Sequence, residues 1–121
     1  MRRGIVITFT REDEETVLVS LENQDKKVIS SILNKASQLY ERRPNSTTEK
    51  DTPHLEAAKS KIASTEGNQV LLKDNELEAF GRAVNEVSAR ISFLDDVSEE
   101  VLDQTSETVG EQYDRYRLNM I

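Results

Sequence analysis

One short pattern occurs twice in this chain, 51 residues apart, and it limits the folds open to it. Val19-Ser20-Leu21-Glu22-Asn23-Gln24-Asp25 aligns with Val70-Leu71-Leu72-Lys73-Asp74-Asn75-Glu76. Downstream, Ile29, Ile32, Leu33, Asn34, Ala36, Ser37 and Tyr40 fall on Phe80, Ala83, Val84, Asn85, Val87, Ser88 and Ile91. Each copy reads as a strand, a capping residue and an amphipathic helix. Any strand-to-helix turn favours a capping side chain, so duplication and convergence both explain the echo. Either origin implies a layer of helices packed on a small sheet, which is the α+β class.

The remaining elements fill in that layer. Ile5 to Thr10 is rich in β-branched residues and reads as a first strand. Arg11 to Glu15 is too polar to bury and suits a hairpin loop, with Thr16 to Leu21 as the returning strand. Val28, Ile29, Ile32, Leu33, Ala36, Leu39 and Tyr40 recur at helical spacing up to Arg42-Arg43, two cations suited to a helix C-terminus, and Pro44 stops the helix. Residues 44–54 hold no apolar side chain except proline, so a mobile loop is expected there, followed by a short helix over Leu55 to Ala63. Val70 to Leu72 is the third strand. Asp74 or Asn75 is placed to cap the helix after it.

In that helix Leu77, Phe80, Val84, Val87, Ile91 and Leu94 alternate in steps of three and four. The spacing fits a heptad seam for a second copy, or an ordinary stripe facing the chain's own core. Asp96 and Glu99 stand in capping-box register at the head of a last helix. Its apolar stripe is thin: Val97, Val101 or Leu102, Thr105, Val109, Tyr113 and Tyr116. The expected architecture is a single α+β domain over residues 1–121. An N-terminal hairpin and one short strand form an antiparallel sheet on amphipathic helices, and the last two helices form an antiparallel pair.

Several chemistries are set aside by residue content. There is no cysteine, which removes disulfides, thiolate nucleophiles and cysteine-based zinc sites. His54 is the one imidazole and has no sequence partner for catalysis. Gly4, Gly67, Gly81 and Gly110 form no phosphate-cradling loop. Gly81 and Gly110 fall inside helices, where each costs about 1 kcal/mol relative to alanine. Close helix packing would explain them, and so would backbone room for a ligand. The apolar run Ile5–Phe9 is too short for a signal peptide or a membrane span. A cytoplasmic protein without membrane contact, cofactor or metal is the expectation.

Charge is divided unevenly. Residues 1–63 carry eleven Lys and Arg against ten Asp and Glu, whereas residues 64–121 carry five against thirteen. A chain of net charge -7 is poorly suited to grip nucleic-acid phosphates directly. Glu99, Asp103, Glu107 and Glu111 follow one another at i+4, and no basic residue lies between Arg90 and Arg115. Such a ladder either solvates a helix face or docks a basic partner. Its carboxylates rise about 6 Å per step, near the spacing of phosphates along a strand. Arg115 and Arg117 bracket Tyr116 close to Tyr113, and with Arg82 or Arg90 these could hold a small anionic, nucleotide-like ligand.

These features favour a non-enzymatic binding or regulatory protein, homo-oligomeric, acting through its C-terminal helices. Two alternatives stand beside it: a sequestering or sensing protein for a small anionic ligand, and an acidic phage-type inhibitor seated in the basic groove of a nucleic-acid enzyme.

Overall fold

A computed structural model describes residues 7–42, 46–91 and 97–118. The chain runs β1 (Ile7–Arg11), β2 (Thr16–Leu21), α1 (Asn23–Arg42), α2 (Ser46–Ser64), β3 (Gln69–Lys73), α3 (Asp74–Arg90) and α4 (Glu99–Leu118). The three strands form an antiparallel sheet in the order β1-β2-β3. One face of this sheet is buried under the helices, and the architecture is the expected α+β layer.

Alternation along the strands decides which face is covered. Ile7, Val17, Val19, Leu21, Val70 and Leu72 point to the core, and Phe9 packs edge-to-face on Phe80 with centroids 6.2 Å apart. The opposite face carries Thr8, Thr10, Leu18, Ser20, Gln69 and Leu71, none of them buried. The hairpin is closed by Asp13, whose Oδ1 accepts the N–H of Glu15 (2.8 Å) and of Thr16 (2.9 Å). That is an Asx turn, and it explains why so polar a loop holds one geometry.

The sequence echo extends further in space than in sequence. Strand–helix–helix occurs twice, as β2-α1-α2 and as β3-α3-α4. Val19, which aligns with Val70, also pairs with it across the sheet. Equivalent residues facing one another is what a two-fold relation between antiparallel strands requires.

The expected loop at about 44–54 is corrected from residue 46 onward, because α2 already begins at Ser46; residues 44 and 45 lie outside the described residues. Its inward residues are Asp51, Leu55, Ala58 and Ile62, at helical steps of four, three and four. The first turn of this stripe is a carboxylate, so no apolar periodicity announces the start of the helix, and only its second half, expected over Leu55 to Ala63, is legible. Pro53 sits inside it. Proline there removes one backbone donor, and packing of the inward face outweighs that cost.

Two ion pairs lock α2 against α3. Arg82 forks onto Asp51 through Nε to Oδ2 (2.6 Å) and Nη2 to Oδ1 (2.8 Å). Lys61 Nζ donates to Glu76 Oε1 (2.7 Å). Each helix supplies one acid and one base, and the pairing 51–82 with 61–76 makes the helices antiparallel. Glu76 also accepts the backbone N–H of Lys73 (2.8 Å), which caps the first turn of α3. The expected caps Asp74 and Asn75 are instead the first helical residues. At α4 the hydroxyl of Ser98 accepts the Val101 N–H (3.3 Å), so Ser98 holds the capping position; Asp96 lies outside the described residues.

Candidate functional site

The C-terminal helices pack against each other, and their contacts give direction. A Cβ at Gly81 would lie 3.8 Å from the Tyr113 ring, and Ser88 donates to Asp103 Oδ1 (3.5 Å). Advancing along α3 therefore means retreating along α4, which makes the pair antiparallel as expected. The far end of α4 is fastened to the sheet. The Tyr116 hydroxyl donates to Asp74 Oδ1, and Arg11 donates to both, reaching Asp74 at 2.8 Å with its guanidinium 4.8 Å from the Tyr116 ring centroid. Burial and the Asp74 carboxylate push the Tyr116 phenol well above its ordinary pKa, so it remains a donor.

Between α3 and α4 runs a groove of about 330 Å³. One wall is Glu78, Gly81, Arg82 and Asn85, and the other is Ser106, Val109, Gly110 and Tyr113. Both walls follow the spacing i, i+3, i+4, i+7, so each is one helix face. Each has a glycine in its second or third place. A Cβ at Gly110 would meet nothing within 4 Å, and one at Gly81 would make only ordinary van der Waals contact. Close packing is therefore not what these glycines serve. They widen the groove.

The acidic ladder lies on the same helix as one groove wall but contributes none of its lining residues. Glu99, Asp103, Glu107 and Glu111 are all exposed. Steps of four residues drift about 40° around a helix, so the ladder starts near the groove wall and turns outward along α4. None of the four forms an ion pair among the described residues.

The remaining site candidates separate. Leu77, Phe80, Val84 and Val87, expected as a possible seam for a second copy, are fully buried in the chain's own core and leave no free surface there. Ile91 packs partly buried against the same core, and Leu94 lies outside the described residues. The proposed anion cluster is also taken apart. Arg82 and Tyr113 do share the groove, but Arg82 is engaged by the buried Asp51, whose hydrogen bond further stabilises the protonated guanidinium. Arg90 pairs with Glu86, and Tyr116 is committed to Asp74. Arg115 is exposed, while the side chain of Arg117 lies outside those described.

His54 sits on α2 rather than in a loop. Among the described residues no cluster of His, Cys, Asp and Glu could hold a metal ion, and no helix is long and apolar enough to cross a membrane. The groove itself was foreshadowed only by two glycines at unfavourable helical positions. Compared with protein-family models, curated proteins and solved structures, the chain shows no significant match.

Proposed function

We propose that this chain is a non-enzymatic binding protein that takes a basic segment of a partner protein along α4. An apolar side chain of that segment occupies the groove between Gly81 and Gly110. The observation that supports this reading is that α4 carries both one wall of a glycine-widened groove and four exposed carboxylates that form no ion pair among the described residues. Alanine at either position would make a more stable helix, and there is space for it. What glycine keeps is the width of the groove.

Charge selects the guest. Arg82 is neutralised by Asp51 and stands 3.9 Å from Glu78, so the groove wall carries a net negative balance before the ladder is counted. Cationic side chains would meet Glu99, Asp103, Glu107 and Glu111 without displacing an ion pair among the described residues. A ladder of this kind mainly accelerates encounter and orients the guest, and the buried contact supplies residence time.

The test is a titration with a synthetic amphipathic helix of lysine and leucine, followed by backbone amide NMR. Shifts are expected over Glu78 to Asn85 and Glu99 to Tyr113, and they should weaken as salt is raised. Reversing the four ladder carboxylates to lysine should abolish them, and Gly110→Leu should weaken binding with the charges intact. Shifts confined to the sheet, or binding that survives charge reversal, would disprove the reading. Wild-type and charge-reversed chains used as paired baits would then single out the native partner.

A further inference from the structure

The open edge of the sheet has a defined set of free backbone groups. Leu21 N–H donates to Asn68 O (2.8 Å) and Asp74 N–H to Glu15 O (3.1 Å), in register with Val17–Leu72 and Val19–Val70. In an antiparallel ladder the direction alternates residue by residue. Asn68, Val70, Leu72 and Asp74 therefore face β2, and Gln69, Leu71 and Lys73 face away. The Lys73 N–H is taken by Glu76, and its carbonyl opens α3. Left over among the described residues are the N–H and C=O of Gln69 and Leu71: two donors and two acceptors, two residues apart.

Side chains mark the same edge. Leu71 is 51% exposed, the one large apolar side chain so exposed among the described residues. Its cross-strand neighbour on that face is Leu18. The equivalent outer side of β2 is covered by β1, and β1 in turn lies against α4. Beside β3 no strand occupies the corresponding place among the described residues.

We propose that β3 pairs antiparallel with β3 of a second copy about a two-fold axis at Val70, joining two sheets into one of six strands. Gln69 of each copy then faces Leu71 of the other. Four hydrogen bonds form, and the free groups of Gln69 and Leu71 are all used. Val70 meets its counterpart on the helix side, while Leu18 and Leu71 of both copies make one apolar patch on the other face. Lys73 is carried to the turn after α2 of the second copy, where Glu66 is exposed and forms no ion pair among the described residues. Opposite charges thus meet twice. A two-fold at Leu71 is inferior, because it would set Gln69 against the already occupied Lys73 N–H.

Sedimentation velocity over a concentration series tests this. With a strand of five residues the contact is small, so a monomer–dimer equilibrium in the micromolar range is expected. Leu71→Glu should weaken it at least about tenfold, a loss of about 1.4 kcal/mol. Gln69→Pro removes an outward donor at the first residue of an edge strand, where a monomer tolerates proline, and should also weaken the dimer. Combining Gln69→Lys with Leu71→Glu should restore it, since the two new charges face each other only across the axis. Far-UV circular dichroism checks that each variant is folded. A wild type that stays monomeric throughout, or a dimer indifferent to Leu71→Glu and Gln69→Pro, would overturn the proposal.

Discussion

Asp51 and Glu76 occupy positions on inward helix faces where apolar side chains would ordinarily stand, and each is held by a cation from the facing helix. Removing a partner costs more than the pair contributes, because it strands a buried charge. Arg82→Ala should therefore destabilise the fold by about 1–3 kcal/mol, less than a fully buried pair because the guanidinium is half exposed. Arg82→Lys should fall between, since lysine restores charge without the fork. Urea denaturation measures both. At Glu76 burial alone would raise the pKa, but hydrogen bonds from Lys61 and from the Lys73 N–H outweigh it and hold the carboxyl below its ordinary value. A lowered folded pKa adds stability that is complete above the unfolded value of roughly 4.3 and is lost as pH falls through the folded one. Thermal midpoints should therefore drop on acidification below about pH 4.5. Glu76→Gln should start lower at neutral pH and show a shallower acid slope.

Elements answer to packing more than to local preference. α2 has a polar first half and an internal proline, so from sequence that half reads as loop and only Leu55 to Ala63 reads as helix. Its inward stripe becomes visible only once Asp51 is counted as an inward residue through its bond to Arg82. Pro53→Ala should stabilise the protein by about 1 kcal/mol or more, by restoring a donor and removing a ring clash. The helices around the groove show the opposite tension. Gly81→Ala and Gly110→Ala should each raise stability by up to about 1 kcal/mol, seen as a rise of about 4 °C in the melting midpoint. Helices α1 and α3 were legible because their apolar residues keep strict helical spacing. Their stripes did not say what would cover them, since a core face and a seam between copies share one pattern.

Across the whole molecule α4 closes the fold. It packs on α3 and β1, buries Val101, Leu102, Val109 and Tyr116, and is tied to the sheet through Arg11 and Asp74. A chain ending at Ile91 would expose the apolar surface that α4 covers. It should lose its sharp thermal transition and bind a hydrophobic dye while keeping helical circular dichroism. The sequence alone determined the strand–helix echo, the antiparallel hairpin, the α+β class and the acidic ladder. Each of those is a local period or a local charge count, and periodicity is carried by neighbours in the chain. Only the tertiary structure decided that Leu77 to Val87 is core, that residues 46–54 are helical, that Tyr116 is a latch and that two glycines open a groove. Those outcomes depend on which faces meet across distances of tens of residues, and no local pattern encodes a partner that arrives from another element.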